Sequence, residues 1–191
     1  MKVVFLDRDG VVNKYPGDTK YVTSWREFHF LPGAKKALER LTKSGYKIFV
    51  ISNQAGVAKG IYSRETLEGI TANMLQELSE AEVKVSGVYY CTHRDEDDCP
   101  CRKPKAGLLE KVIKEHNIPN GILRNSFFVG DTYRDIQAGR SAGCKAILVF
   151  SGKEKPGNQT GWLFQPDFTA ADLLQAVNLI LSRMPLNEDN Y

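Results

Sequence analysis

Four side chains that can bind a soft metal ion lie within eleven residues of this sequence. They form two pairs with the same spacing, Cys91-x-His93 and Cys99-x-Cys101. Residues two apart on an extended backbone point to the same side, so each pair can converge on one ion. Five residues separate the pairs, which is enough for the chain to turn and bring them together around a tetrahedral Zn²⁺. Because protein fills all four positions, the pattern predicts a structural zinc site.

A disulfide among these thiols is the alternative to zinc. The N-terminus, MKVVFLDRDG, lacks the apolar core of a signal peptide. No run approaches the roughly 18 apolar residues that a membrane-spanning helix requires. We therefore expect a cytoplasmic, reducing location, where clustered cysteines more often hold metal than form disulfides.

A second set of reactive residue types follows short apolar runs that are spread along the chain. Polar side chains occur where the first, second and fourth runs end, and a lysine follows the last cysteine of the cluster at a distance of two residues. In open α/β sheets, ligands bind outside the carboxyl ends of the strands, so we expect these residues to converge on one rim. They are Asp7, Asp9, Ser52, Asn53, Gln54, Lys103, Asp131 and Asp135.

The chemistry of this second set is that of phosphoryl transfer. Carboxylates held together repel one another unless a cation shares the site, and hard oxygen ligands suit Mg²⁺. A metal ion, a lysine and a hydroxyl can stabilise the charge on a transferring phosphoryl group. Asp7 could attack phosphorus, and Asp9 has the spacing to protonate the leaving oxygen and later deprotonate a water. The alternative, that these acids only form turns and helix caps, does not explain their recurrence at successive strand ends.

Five apolar runs predict the strands that would position these residues. Their hydrophobicity is continuous rather than alternating, which is typical of strands buried on both faces of a parallel sheet. Helical patterns lie between them, one with Ser63 as its predicted N-cap and the last with Thr169. The alternation predicts an α/β fold with a doubly wound, mainly parallel sheet and helices on both faces. The predicted strands are residues 2–7, 46–53, 85–91, 126–131 and 144–150.

The length of 191 residues predicts one domain spanning 1–191. Loops 13–31 and 92–106 are long for a compact domain, and such loops are often functional. Residues 151–161 are predicted to be a flexible linker, and about 185–191 a flexible tail. A net charge of +3 is too small and too scattered to indicate nucleic acid or membrane. We expect a monomer that acts on a small phosphorylated molecule, without nucleic-acid or membrane partners.

Four segments of the chain resemble, in order and over nearly its whole length, the four motifs of the haloacid dehalogenase (HAD) superfamily of phosphatases. The segments are FLDRDGVVN, ISNQAG, the lysine of CRKP, and VGDTYRD. The resemblance implies a HAD-like fold in which Asp7 is the nucleophile and Asp9 the acid/base. It also implies that Ser52 and Lys103 hold the phosphoryl group.

The same resemblance implies the ligands of the Mg²⁺ ion. They would be Asp7, the backbone carbonyl of Asp9, and Asp131. Asp135 matches the second acid of the fourth motif, and the resemblance leaves open whether it touches the metal or orients its neighbours.

No insertion of the size of a cap domain interrupts the predicted strands, so the chain resembles the capless branch of the superfamily. Within it, DRDGVVN, NQAGVAKG and CTHRDEDDCPCRKP are most similar to the D,D-heptose 1,7-bisphosphate phosphatases, which share the Cys-x-His…Cys-x-Cys arrangement. Histidinol-phosphate phosphatases share the zinc loop and stay the alternative. The resemblance implies Mg²⁺-dependent removal of the 7-phosphate on a route to nucleotide-activated heptose and surface polysaccharide, with Zn²⁺ in the loop.

Arg102 is the candidate ligand of a second phosphate, because a planar guanidinium can hold a phosphate through two hydrogen bonds. An ion pair with a nearby acid is the alternative role for this arginine. Other candidate substrate-binding residues lie at the second strand end and in loop 13–31. They are Asn53, Gln54, Asn13, Lys14, Tyr15 and Asp18.

Two other classes of function remain for comparison. A zinc-containing nucleic-acid binding module would cluster basic and aromatic residues on one face. This sequence disperses its lysines and retains a full set of acids at the predicted strand ends. A catalytically inactive scaffold would not require both Asp7 and Asp9. The sequence therefore favours an enzyme.

Overall fold

A six-stranded sheet organises the part of the chain that a computed structural model describes, residues 1–183; the predicted tail at 185–191 lies outside these residues. All neighbouring strands are parallel, in the order β3-β2-β1-β4-β5-β6. The elements are β1 (Lys2–Leu6), a 3-10 helix (Trp25–Glu27), α1 (Ala34–Lys43), β2 (Tyr46–Asn53), α2 (Arg64–Glu80), β3 (Val85–Cys91), α3 (Gly107–Glu115), α4 (Asn120–Leu123), β4 (Phe127–Gly130), α5 (Tyr133–Ser141), β5 (Lys145–Val149), β6 (Phe168–Ala170) and α6 (Leu173–Ser182).

The strand order reverses between β1 and β4, because the chain returns from β3 at one edge of the sheet to pair β4 beside β1. In sheets of this kind, such a reversal opens a crevice at the carboxyl ends of the strands. The residues that follow β1 and β4 are therefore placed at the position where a ligand would bind.

Helices cover both faces of the sheet, as predicted. Val4 and Leu6 of β1 pack into one buried cluster together with α1, α2 and α6. Val3 and Phe5, which point the other way, belong to a second cluster with α3 and part of α5. Both faces of β1 are apolar for this reason, and the continuous hydrophobicity of its sequence follows from it.

The five predicted strands are confirmed, but the sequence prediction missed β6. Phe168 pairs with Ile147 of β5, and this extended segment includes Thr169, so the prediction of Thr169 as a helix N-cap was wrong. The last helix begins after Asp172, whose carboxylate accepts a hydrogen bond from the backbone of Gln175 at 2.8 Å. The edge of β5 binds the three-residue strand, and Asp172 supplies an equally good cap three residues later.

Ser63 caps α2 as predicted and accepts a hydrogen bond from the backbone of Thr66 at 3.1 Å. In residues 1–183 no additional domain is inserted between the strands. None of the helices in this described range is long and apolar enough to cross a membrane.

Candidate active site

The carboxyl ends of three adjacent strands bring the predicted acids together. Leu6 is in register with Val129 of β4 and Val50 of β2, so the residues that follow these strands emerge at the same level. The backbone of Asp7 continues the ladder by donating to the carbonyl of Val129 at 2.9 Å. One carboxylate oxygen each of Asp7, Asp131 and Asp135 lies within 4.8 Å of the others.

Lys103 lies at the centre of this acidic group although it comes from the loop after β3. Its Nζ is 2.9 Å from Oδ1 of Asp7 and 2.6 Å from Oδ1 of Asp135, and it also donates to the carbonyl of Ile51 at 2.9 Å. Burial alone lowers the pKa of this ammonium, but the two carboxylates outweigh burial and raise the pKa. Lys103 therefore stays charged and partly neutralises the acids around it.

Asn53 holds the backbone on which Lys103 is carried. Its side-chain nitrogen donates to the carbonyl of Lys103 at 3.0 Å, and its oxygen accepts from the nitrogen of Lys103 at 3.1 Å. These two hydrogen bonds tie the end of β2 to the end of the segment 91–103, called the cysteine loop below. Asn53 also borders the cavity above the acids.

Lys103 neutralises only part of the negative charge of the three aspartates, and a bound cation would compensate the rest. Burial raises the pKa of Asp7 to about 6; the charge of Lys103 opposes this shift, and Asp135 and Asp9 add to it. Burial also raises the pKa of Asp131 well above its ordinary value, with Asp135 and Asp7 contributing. A divalent cation would remove this penalty, because it stabilises the ionised carboxylates.

Asp131 offers one oxygen that suits such a cation. Its Oδ2 accepts from the backbone of Lys153 at 2.7 Å, whereas its buried Oδ1 has no hydrogen-bond partner. The neighbouring backbone approaches closely, since a Cβ on Gly10 would lie 2.2 Å from Oδ2 of Asp131 and Gly10 has a φ of +86°. Glycine at position 10 thus leaves the space that this carboxylate occupies.

Asp135 contacts its neighbours through both oxygens, although Oδ1 forms only an ion pair and no hydrogen bond. Oδ1 pairs with Lys103, and Oδ2 accepts from the backbone nitrogen and the hydroxyl of Thr132 at 3.0 and 2.6 Å, which forms a capping box at the start of α5. In this structure Asp135 therefore orients its neighbours.

Asp9 is held by three side chains that all donate to it. Buried Arg8 binds both carboxylate oxygens, with its Nη2 at 2.9 and 3.0 Å. Asn13 donates to Oδ1 and Gln54 to Oδ2, each at 2.8 Å. Asn13 and Gln54, predicted as substrate ligands, do not line the cavity; they contact Asp9 instead.

Arg8 is a site residue that the sequence reasoning missed. Its guanidinium lies over the rings of Phe28 and Tyr90, 5.9 and 5.7 Å from their centroids, and its side chain is fully buried. An arginine between two aspartates resembles a solvated charged turn in sequence. The position of Arg8 beside the acid/base candidate was the available signal.

The Cys/His cluster comes together as predicted. The Sγ atoms of Cys99 and Cys101 are 3.4 Å apart, Cys91 and Cys99 3.6 Å, and Nδ1 of His93 is 3.2 Å from Sγ of Cys101. Zn–S bonds of about 2.3 Å in a tetrahedron separate the sulfurs by roughly 3.8 Å, so the four ligands fit one zinc ion with small shifts. Burial raises the pKa of Cys91 to about 12, a penalty that a bound cation would remove.

A cavity of about 540 Å³ opens above the acids. Among the predicted residues it is lined by Asp7, Asp9, Ser52, Asn53, Lys103, Asp131, Asp135, Tyr15, Asp18 and Arg102. Lys14 borders a neighbouring pocket. Arg102 forms an ion pair with Asp95 at 2.6 Å, which is the alternative role considered from the sequence, while its side chain also borders the cavity.

The prediction of residues 151–161 as a flexible linker was wrong for its first residues. The Ser151 hydroxyl donates to the carbonyl of Gly10 at 2.7 Å, and Lys153 contacts Asp131 through its backbone and Asp18 through its Nζ at 2.8 Å. These residues follow β5, so the strand-end rule that identified Asp7 and Asp131 could have found them. The Gly and Lys composition of the segment, which is typical of linkers, concealed them.

The fold and the site define a HAD-like phosphatase, and comparisons with known proteins agree. A model of the HAD-hydrolase-like family matches residues 100–176. A protein of Pasteurella multocida (strain Pm70), the D-glycero-beta-D-manno-heptose-1,7-bisphosphate 7-phosphatase, is 41% identical over 160 residues, which cover 80% of this chain and 83% of that protein. The corresponding D-glycero-alpha-D-manno enzyme of Campylobacter jejuni is 34% identical over 157 residues, or 82% of this chain and 87% of that protein.

A crystal structure of the D,D-heptose 1,7-bisphosphate phosphatase from B. bronchiseptica, complexed with magnesium and phosphate, has the same fold. It is 33% identical, superimposes with a TM-score of 0.89, and the match covers 96% of this chain and 100% of that one. The chain belongs to the haloacid dehalogenase superfamily, in the family that contains the heptose 1,7-bisphosphate phosphatases. The predictions of family, fold and enzyme class, a phosphoric monoester hydrolase, are confirmed.

Proposed function

We propose that the protein is a Mg²⁺-dependent phosphatase that removes the 7-phosphate of D-glycero-D-manno-heptose 1,7-bisphosphate. The step belongs to the synthesis of nucleotide-activated heptose for surface polysaccharide. The observation that carries the proposal is the Asp7–Lys103–Asp135 group at the floor of a cavity that also exposes Asp9, Asp131 and Arg102. The names of the relatives support the choice of sugar.

Asp7 is the nucleophile in this proposal. Its Oδ1 accepts from Lys103 and from the backbone of Arg8 at 2.7 Å, and these contacts fix the carboxylate while leaving Oδ2 for the reaction. Oδ2 forms the new bond to phosphorus as the bond from phosphorus to the sugar oxygen breaks. Lys103 and the Ser52 hydroxyl bind the phosphoryl oxygens, whose charge is partly neutralised by the ammonium.

Asp9 moves the protons. Its protonated form gives a proton to the leaving oxygen of the sugar, and the resulting carboxylate then takes a proton from the water that hydrolyses the aspartyl-phosphate. Arg8, Asn13 and Gln54 position the carboxylate for both steps, because each binds it from the side of the protein interior.

The Mg²⁺ ligands in this proposal are Asp7, Asp131 and the backbone carbonyl of Asp9. When bound, Mg²⁺ supplies positive charge that screens the carboxylates from the phosphate and stabilises its oxygens. The unpartnered Oδ1 of Asp131 and the raised pKa values of Asp7 and Asp131 support this assignment.

Zn²⁺ has a structural role in the proposal and would be held by Cys91, His93, Cys99 and Cys101. Cys91 ends β3, the other three ligands lie in the loop that follows, and Lys103 follows the last ligand by two residues. Binding would fix this loop in the conformation that delivers Lys103 to Asp7.

Loop 13–31 supplies the remaining substrate contacts. The Tyr15 hydroxyl donates to Asp18 at 2.7 Å, and Lys153 pairs with Asp18 from the opposite side of the cavity. The hydroxyl oxygen of Tyr15 and the carboxylate of Asp18 thus present acceptors to sugar hydroxyls. The cytoplasmic location, the monomeric state and the lack of nucleic-acid or membrane partners stay predictions.

The test is a side-by-side assay with Mg²⁺ of the α and β anomers of heptose 1,7-bisphosphate and of histidinol phosphate. Phosphorus NMR of the products distinguishes the two ester positions. We expect the 7-phosphate to be released and the 1-phosphate to remain on the sugar. Exclusive activity on histidinol phosphate would contradict the proposal.

A further inference from the structure

Three charged residues form one cluster at the rim of the cavity. Oδ1 of Asp95 accepts from Nε of Arg102 at 2.6 Å and from Nη1 of Arg134 at 2.9 Å. Asp95 and Arg102 both lie in the loop between β3 and α3, whereas Arg134 is in the first turn of α5. All three border the cavity that contains Asp7.

The cluster carries an excess of positive charge. Two guanidinium groups share one carboxylate, so the cluster has a formal charge of +1. Lys153 and Asp18, which also border the cavity, form a separate ion pair that is formally neutral. The arginine cluster therefore offers a net positive charge at the cavity rim to an anionic group of a substrate.

The arginines also retain hydrogen-bond donors. Arg102 uses Nε for Asp95 and Nη1 for the carbonyl of His93 at 3.4 Å, and Arg134 uses Nη1 for Asp95. Among the described contacts, Nη2 of Arg102 and both Nε and Nη2 of Arg134 have no acceptor. These nitrogens can bind a phosphate while Asp95 keeps its place between the two side chains.

We propose that Arg134 joins Arg102 in a two-arginine clamp for the distal, anomeric phosphate of a bisphosphate substrate, and that Asp95 is the positioning residue of this clamp. The inference deepens the proposed function and rests on it. In this arrangement the ion pair of Arg102 and its binding of a second phosphate are compatible, because different nitrogens serve each.

The test compares two substrates of the enzyme in its metal-loaded form, heptose 1,7-bisphosphate and heptose 7-phosphate, which lacks the anomeric phosphate. Arg134→Gln is expected to raise KM for the bisphosphate about tenfold or more, since one charge-assisted contact is lost. We expect kcat on the bisphosphate, and both parameters on the monophosphate, to stay unchanged.

Arg140→Gln is the matched control. Arg140 lies on the same helix, its side chain is 43% exposed against 48% for Arg134, and it also pairs with an aspartate, Asp167. It does not line the cavity. This variant should keep the KM of the wild type for both substrates.

The outcomes separate the clamp from the function on which it rests. If the wild type prefers the bisphosphate and Arg134→Gln keeps that preference, or loses activity equally on both substrates, the clamp is refuted and the function stands. If the wild type shows no preference for the bisphosphate, the substrate assignment and the clamp both fail.

Asp95 is tested with two variants. Asp95→Ala should raise KM for the bisphosphate alone, and Asp95→Asn, which keeps an acceptor oxygen, should restore part of the difference. Zinc content is measured in both, because Asp95 lies two residues from His93. An Asp95→Ala protein with full zinc and an unchanged or lower KM would overturn the positioning role.

Discussion

The Cys/His cluster differs in its construction from the carboxylate–lysine group, which consists of Asp7, Asp131, Asp135 and Lys103. The first draws its ligands from one short segment, and only Cys91 is buried while His93 is exposed. The second combines residues from β1, β4, α5 and the cysteine loop, all of them buried. The difference separates a site that can stabilise a loop from one that can perform catalysis.

In our proposal, zinc bound to the Cys/His cluster would order the loop between β3 and α3. The buried acids around Lys103 instead repel one another and are costly to ionise, a cost that a bound metal ion can relieve. The two sites are coupled through the chain, because Lys103 follows Cys101 by two residues and is fixed by Asn53. Substitutions in each site should therefore differ in kind as well as in size.

The largest effect is expected for Asp7→Asn. An amide cannot form the aspartyl-phosphate, so turnover should fall on the order of 10⁴-fold or more. Zinc content and fold should be unchanged, measured by metal analysis and circular dichroism. Asp172→Asn is the control, because Asn also caps helices well and Asp172 lies outside the cavity. Retained activity in Asp7→Asn would refute covalent catalysis by Asp7, and with it the assignment of catalysis to the carboxylate–lysine group.

Lys103→Met should reduce both activity and stability. The buried acids would lose their ammonium, which costs about 3–5 kcal/mol when one partner of a buried pair is removed. We expect kcat to fall roughly 10²–10³-fold, because a group that stabilises the phosphoryl charge is lost. Chemical denaturation and steady-state kinetics measure the two effects.

Lys105→Met is the matched control for Lys103→Met. Lys105 lies in the same loop and pairs with exposed Asp98, so its loss should change stability by no more than about 1 kcal/mol. Equal effects of the two substitutions would mean that the loop, and not the buried charge, sets the stability.

Cys99→Ser should lose zinc and lower activity by roughly 10–100-fold, because the loop that carries Lys103 is no longer fixed. The loss of activity should be similar for every phosphate ester, since the Cys/His cluster positions Lys103 and does not contact the sugar. Cys144→Ser is the control: Cys144 is buried outside the cluster and should leave zinc stoichiometry unchanged. Normal metal content and rate in Cys99→Ser would refute the structural role of the cluster.

The smallest effect is the dependence of Mg²⁺ stabilisation on pH. Because the pKa of Asp7 is raised from 3.8 to about 6, the folded protein binds this proton more tightly than the unfolded chain does. Its contribution to the free energy of unfolding therefore falls as pH rises between these values, and metal-free protein carries the full penalty at neutral pH.

Mg²⁺ should consequently raise the Tm more at neutral pH than near pH ~5. At neutral pH, a Mg²⁺ concentration 100-fold above Kd adds about 2.7 kcal/mol to the free energy of unfolding. Thermal denaturation with and without Mg²⁺ measures the shift, and Asp131→Asn should reduce it. A shift that is equal at both pH values would show that the carboxylates do not bind the ion.

The sequence allowed prediction wherever one residue type has a strong local signal. The acids after β1 and β4 were predicted because parallel strands end at a common edge, and Ser63 because its hydroxyl caps a helix start. The strand β6 was missed since three residues carry too little periodicity. Lys153 was missed because a turn after β5 has the composition of a linker, although its backbone fixes Asp131.

By itself, the sequence determined which strands are buried on both faces, the spacing of the candidate zinc ligands and the candidate catalytic residues. Each of these depends on residues close together in the chain or on the hydrophobic pattern of a strand. Only the tertiary structure decided which charged groups pair with one another. Arg8 binding Asp9, Asp135 pairing with Lys103, and Arg134 joining Arg102 at Asp95 all link residues through space. Electrostatic energy depends on distance and burial, and neither is fixed until the chain is folded.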